Sequence, residues 1–210
     1  MTASTAETYR PPTLDDHPDL TPEEMGRRFL KMIDSLKTID DLAQSHLEKA
    51  VQIALRPSPE GNGGGVSMHL PESGWYYGVS YYDDSHFPLN KSATYSLINR
   101  PADQNHNDHH ADMGPVCGMD FDAYTAELLR MGFVHREDMA KYDTPQPPYY
   151  PDPKTGKPIR GEVRSFRLPF WYFTRPGLLV EMQSRGEAAQ PDAKRNHACV
   201  ERISVRRYDQ

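Results

Sequence analysis

The residues of this chain richest in chemistry lie between positions 105 and 117. Asn105-His106-Asn107-Asp108-His109-His110 packs three imidazoles and a carboxylate into six residues, with Asp112 and Cys117 close behind. Imidazole, carboxylate and thiolate are the ligands zinc prefers, and His106 and His110 would share a face if the segment were helical. Its surroundings argue for a loop instead. Pro101, Gly114, Pro115 and Gly118 bracket it, and neither a His-Glu-x-x-His nor a paired Cys-x-x-Cys is present. The stretch reads as a solvated polar loop in which no metal site is assigned. His106, His109 and His110 are the candidates on which a metal-dependent enzyme would rest.

Other chemistries find less support. A nucleophilic triad needs an activated Ser or Cys beside a base and an orienting acid, and no Gly-x-Ser-x-Gly occurs. Cys199 falls mid-strand next to Ala198 and Val200, where a side chain points into the core, and His197 would share its face as a structural histidine. Cys117 and Cys199 are the only cysteines. They read as reduced structural thiols, with a disulfide and a reactive thiol as the alternatives. Gly61-Asn62-Gly63-Gly64-Gly65 lacks the Gly-Lys-Ser/Thr and the following helix of a phosphate loop, and Thr155-Gly156-Lys157 runs into Pro158. Asp120 and Asp122 sit where a helix cap and a first-turn acid belong. Arg202, Arg206 and Arg207 could clamp a phosphate or carboxylate. However, Ile203 and Val205 take the face opposite Arg202 and Arg206, as on any half-solvated strand. No catalytic residue and no cofactor is assigned, and the chain is expected not to be an enzyme.

The aromatic run Trp75, Tyr76, Tyr77, Tyr81 and Tyr82 remains. Exposed aromatic strands stack on single-stranded nucleic acid, but Glu72, Asp83 and Asp84 flank this one and would repel phosphates. Tyr and Trp are also common anchors of protein interfaces. Trp75, Tyr77, Tyr81, Tyr82, Asp83 and Asp84, with Asp108 and Asp112 from the loop 100–118, are therefore the expected partner-binding residues.

The elements that must position these groups are legible from spacing. Residues 1–20 read as a flexible arm. Thr21 caps a helix with Pro22 at its first position, Glu23 and Glu24 in its first turn, and Met25, Phe29, Met32, Ile33 and Leu36 as its apolar stripe. A second helix is expected from Thr38, boxed by Asp41, through Ala43, Leu47, Ala50, Val51 and Ala54 to Arg56-Pro57, making a helical hairpin. Strands follow over Val66–Leu70, Trp75–Asp83 (Gly78 marking a bulge or close backbone approach) and Lys91–Asn99, with Ala93, Tyr95 and Leu97 on one face. A third helix runs from Asp120 to a stop at Gly132, with Tyr124 and Leu128 inward. Strands are expected at Phe133–Arg136, Glu162–Leu168 (running on toward Thr174), Leu178–Ser184 and His197–Arg207, with Arg175-Pro176-Gly177 as a turn. The fold class is α+β, one domain over 21–210. A helix leading to an aromatic strand occurs twice, at Trp75-Tyr76-Tyr77 and Trp171-Tyr172-Phe173. This suggests two α-then-β units, 21–118 and 119–210, packed on antiparallel sheet.

Bulk properties narrow the function. The 210 residues are 37% hydrophobic with 19 prolines, so a modest core and long connections are expected. No apolar run is long enough to span a membrane, and the first twenty residues carry no apolar leader, so the default compartment is the cytoplasm. The net charge of −6 is uneven: residues 61–126 hold 8 acids and 2 bases, residues 127–210 hold 11 acids and 15 bases. An acidic middle disfavours nucleic acid and suits a basic protein surface.

Several stretches resemble a known group of proteins. They are Thr21-Pro22-Glu23-Glu24, Gly74-Trp75, Cys117-Gly118-Met119-Asp120-Phe121 leading to Tyr124 and Leu128, Met131-Gly132-Phe133, and His197-Ala198-Cys199-Val200. In overall look the chain is similar to immunity proteins of bacterial contact-dependent and type VI secretion toxin systems. The resemblance implies a stoichiometric, non-enzymatic inhibitor that plugs or covers its cognate toxin. A monomer or homodimer is expected, with neither membrane nor nucleic acid as partner. It assigns no fixed functional residues.

Overall fold

The computed structural model describes residues 9–84, 90–101, 107–108, 111–139, 149–151, 158–160, 170–186 and 198–208. His106, His109, His110, His197, the strand expected at 162–168, Thr155-Gly156-Lys157 and residues 1–8 lie outside them.

Helix α1 spans Pro22–Ser35, and the Thr21 hydroxyl accepts from the Glu24 amide at 3.2 Å, as the sequence predicts. The capping box of Thr38 and Asp41 also forms, but it opens only a single 3₁₀ turn, Ile39–Asp41. Leu42 and Ala43 then take extended backbone, and α2 is the short helix Gln44–Val51. The long second helix expected from Thr38 is thus broken at residues 42–43, because Leu42 is pulled out of helical register and fully buried. Helix α3, Phe121–Arg130, is capped by Asp120 and ended by Gly132 at φ 82°, a left-handed value that glycine adopts without strain.

Strands β1 (Arg56–Pro57), β2 (Gly63–Leu70), β3 (Trp75–Tyr82), β4 (Ser92–Asn99), β5 (Val134–His135), β8 (Phe170–Arg175), β9 (Leu178–Gly186) and β10 (Ala198–Arg207) form one antiparallel sheet. Strands β6 (Tyr149–Pro151) and β7 (Pro158–Arg160) pair separately. The order in the large sheet is β1-β2-β3-β4-β10-β9-β8-β5, running outward from a central β4–β10 pair. The α+β class follows directly. The sheet is continuous across the boundary between 21–118 and 119–210, because β4 and β10 pair from Ser92–Arg206 to Ser96–Arg202.

All three helices pack on one face of this sheet. Met25, Phe29 and Ile33 of α1, Leu47 and Val51 of α2, and Tyr124 and Leu128 of α3 share a core with Val66, Val79, Tyr95, Ile203 and Met182, which lie side by side in register across β2, β3, β4, β10 and β9. Buried phenols fasten the start of α1 to the sheet: Tyr77 donates to the Leu20 carbonyl at 2.6 Å and Tyr95 to the Pro22 carbonyl at 2.8 Å. Burial pushes the Tyr77 phenol up to about 12 and the Tyr95 phenol well above its ordinary value.

Residues 9–20, expected as part of a loose arm, are docked instead. Pro12 accepts from the His69 amide at 2.8 Å and Thr13 bridges His69 in parallel, so the arm covers the outer edge of β2. Leu20 is buried, and Asp16 accepts from both the amide and the hydroxyl of Thr13. Those bonds hold the Asp16 carboxyl below its ordinary value.

Helices α1 and α3 meet at Gly26. A Cβ at this position would fall 2.1 Å from the Tyr124 hydroxyl and 3.2 Å from its Cζ. Gly→Ala inside an exposed helix gains about 0.5–1 kcal/mol. Here overpacking reverses the sign, and Gly26→Ala is expected to cost about 2 kcal/mol in urea unfolding. Adding Tyr124→Phe removes the clashing oxygen and should recover about half. A single Gly26→Ala variant more stable than the parent would show that the two helices do not pack as described.

Candidate functional site

The sheet face away from the helices is built from small polar residues. Two adjacent rows cross the strands in register. Arg56, Gly65, Ser80, Thr94, Ser204 and Glu181 form one, and Ser67, Gly78, Ser96, Arg202 and Gln183 the other. The flanking rows are larger: His69, Tyr76 and Ile98 on one side, Tyr82, Ser92 and Arg206 on the other. The alternation is the ordinary period of two. Trp75, Tyr77 and Val79 point to the core, Tyr76, Gly78 and Ser80 to the open face.

Small residues on this face leave a trough. One hollow of about 590 Å³ lies over Gly65, Ser67, Gly78, Ser80 and Ser96, walled by Tyr9, Arg56, Pro57, Pro59, Tyr76 and Ile98. A second of about 390 Å³ adjoins it through Arg56, Gly65 and Ser80 and reaches Tyr82. Gly78 is essential to the floor, since a Cβ there would sit 2.0 Å from the Val66 carbonyl oxygen. Of the two readings of Gly78, the close backbone approach is the one seen, for the β2–β3 register is unbroken. Toward β8 and β9 the face closes, with Tyr172, Thr174, Leu179 and Ser204 buried.

The walls carry the charge. The Arg56 guanidinium lies 4.5 Å from the centre of the Tyr9 ring, a cation–π contact. Arg206 pairs with Glu181 at 3.5 Å. Arg202 is exposed and has no ion-pair partner among the described residues. His69 stacks on Tyr76, ring centres 4.2 Å apart and nearly parallel, and burial there lowers its pKa below the ordinary histidine value.

The expected partner-binding residues do not form one surface. Trp75 and Tyr77 are each 1% exposed and belong to the core, so neither is a contact residue. Their neighbours Tyr76 and Tyr82 face outward instead. Tyr81 donates to Asp83 at 2.8 Å and Tyr82 to Asp84 at 3.2 Å, and Asp83 pairs with Lys91 at 3.3 Å. Burial first, and the carboxylate second, raises the pKa of both phenols. The acids at this end are thus engaged with their own neighbours. Asp108 and Asp112 lie at the opposite end of β3, roughly 23 Å away along seven residue steps. There the Asp112 carbonyl accepts from the Trp75 indole at 2.9 Å, the Asp112 carboxylate accepts from the Gly114 amide at 3.0 Å, and the Asp108 amide donates to Asn99. Arg185 donates to the Ala111 carbonyl, and Met113 and Val116 are buried. The described part of the loop 100–118 is therefore a packed flap over Trp75.

Cys117 and Cys199 form a disulfide, which replaces the expected reduced thiols. Cys199 does point into the core, as its strand position predicts, and there it meets Cys117 at the flap's end. Among the described residues no group of three or more His, Cys, Asp or Glu is placed to hold a metal, and no helix is long and apolar enough to cross a membrane.

Sequence reasoning missed Tyr9, Arg56, Ser67, Ser80 and Ser96. The signal was present in Ser92-Ala93-Thr94-Tyr95-Ser96-Leu97, where every second residue is a small hydroxyl. No known family matches this chain, no characterised protein matches it in sequence, and no solved structure matches it in fold.

Proposed function

We propose that this protein is a non-enzymatic binding module that acts as an immunity protein, seating the open face of its sheet on a cognate toxin and occluding it. One observation carries the proposal. Of the five large apolar side chains exposed among the described residues, Tyr9, Tyr82 and Ile98 frame the trough. Apolar groups gathered at one uncovered face are characteristic of a docking surface, and scattered ones are not. The acidic aromatic end of β3, expected from the sequence to be that surface, gives way to this face because its acids are internally bonded.

The proposal places this encounter in an oxidising compartment. A cytoplasmic address, the expectation from the polar N-terminus, would keep Cys117 and Cys199 reduced. Mass spectrometry of the protein trapped with a thiol-blocking reagent in native cells should find the pair oxidised.

The function is tested by coexpression with the product of the adjacent gene. Growth arrest by that product should be relieved, and the two proteins should co-elute as a complex of fixed stoichiometry. Ile98→Arg should abolish relief while leaving the circular dichroism spectrum unchanged. Neither relief nor complex formation with either neighbouring gene product would overturn the reading.

A further inference from the structure

We infer that the trough binds an extended, acidic segment of a protein partner, with its carboxylates held by Arg56 on one rim and Arg202 on the other. The inference rests on the reading of the open face as a protein-docking surface and adds the chemistry of what docks there.

Size comes first. From Arg56 on β1 to Arg202 on β10 there are four strand spacings, or roughly 20 Å, and the strands give the floor about 23 Å in the other direction. A broad face-to-face contact covers about 800 Å² per partner, which this floor does not provide. One extended segment of six or seven residues, about 20 Å long, fits it. The floor suits a backbone as well. Gly65 and Gly78 present no side chain, and Ser67, Ser80, Thr94 and Ser96 offer hydroxyls that both donate and accept.

Charge selects the sign of the partner. Although residues 61–126 are strongly acidic in sequence, Arg56 lines both hollows and Arg202 continues the floor beside Ser96, while Glu60, the carboxylate lining the second hollow, accepts from Asn62. Glu181, the carboxylate in the two floor rows, is already paired with Arg206. Arg202 stands exposed without an ion-pair partner among the described residues, and Arg56 is oriented by Tyr9. Guanidinium groups at opposite rims favour carboxylates spaced along one chain and hold each through paired N–H donors. Tyr76, Ile98 and Tyr82 close the ends as apolar anchors. Nucleic acid fits less well, because two arginines neutralise few phosphates.

The test pans a random twelve-residue peptide library against the full, disulfide-intact chain. Enriched peptides should carry two or more Asp or Glu around an apolar residue. Affinity of the best synthetic peptide, read by fluorescence anisotropy, should fall roughly tenfold or more with Arg202→Glu and with Arg56→Glu. Lys31→Glu, exposed on α1 on the other face of the sheet, should leave it unchanged. If either reversal fails to fold, the Gln variant is read in its place. Basic enriched peptides, or acidic ones whose binding survives both reversals, would overturn the inference. So would labelled (dT)20 binding that is lost with Arg202→Glu. The growth assay is separate: an acidic consensus without growth relief removes the toxin reading and leaves the trough's chemistry standing.

Discussion

Arg175→Met is expected to cost about 3 kcal/mol of folding stability, with the urea midpoint lowered and the slope of the transition unchanged. The reason lies in two helix ends: α1 supplies no cation of its own, and Arg130 in the last turn of α3 is engaged with Glu127 and Asp34. Helix α1 has no basic residue in its last turn. Arg175, at the end of β8, reaches them from across the sheet. It donates to Leu36 at 2.5 Å and Ile33 at 3.3 Å, and its other terminal nitrogen donates to Met131, the C-cap of α3, at 3.0 Å. Its guanidinium also lies 4.7 Å from the centre of the Phe133 ring. One side chain therefore satisfies orphan carbonyls of two helices and complements the negative end of both dipoles.

Hydrogen bonds to a charged group contribute about 1.5–3 kcal/mol each. Arg175 is partly exposed, so water replaces some of that loss, which sets the figure well below the sum of three. Arg175→Lys should recover less than half, because an ammonium cannot span carbonyls from separate helices as the planar fork does. A loss under about 1 kcal/mol for Arg175→Met would mean that water serves these helix ends as well as the guanidinium does.

How much of this was legible in the sequence depends on whether the signal was local. Helix caps are local, and Thr21, Thr38, Asp120 and Gly132 all act as their types predict. What Thr38 could not reveal is that its box starts a single turn, because the break at Leu42 comes from burial against distant elements. The same limit governs the site. Trp75, Tyr77, Tyr81 and Tyr82 look like one aromatic patch in the sequence, but the period of two splits 75 and 77 into the core and leaves 76 and 82 outside. Charge misleads for a related reason. Residues 61–126 are acidic as a stretch, but Asp83 pairs with Lys91, and the face these strands share with β10 gains its arginines from residue 56 and from residues 202 and 206. A surface is assembled from residues far apart in sequence, so the charge of a stretch does not give the charge of a face.

The disulfide is the clearest case of a distant constraint, and its removal should be the most damaging covalent change. Cys117 and Cys199 are 82 residues apart, and spacing alone does not say whether the two are brought together. In the unfolded chain the bridge closes a loop of that length, and chain-entropy reasoning assigns it about 4.5 kcal/mol of stabilisation, within the usual range of about 2–5 kcal/mol. The native state also depends on it locally. Cys117 ends the flap that covers Trp75, and two residues on, Met119 leads into the Asp120 cap of α3, which itself bridges Cys199. Gly118 lies so close to α1 that a Cβ there would fall 2.3 Å from the Glu23 Cβ, so the flap, α1 and α3 converge at this point. Cys117→Ala with Cys199→Ala is expected to lower stability by about 3–4 kcal/mol and to expose the flap to proteolysis before the rest of the fold. Urea unfolding and limited proteolysis of the oxidised, reduced and doubly substituted forms measure both effects. Equal stability in all three would show that the flap holds without its bond. The trough, built on the opposite face of β2, β3 and β4, should retain its peptide affinity in the reduced form wherever that form stays folded.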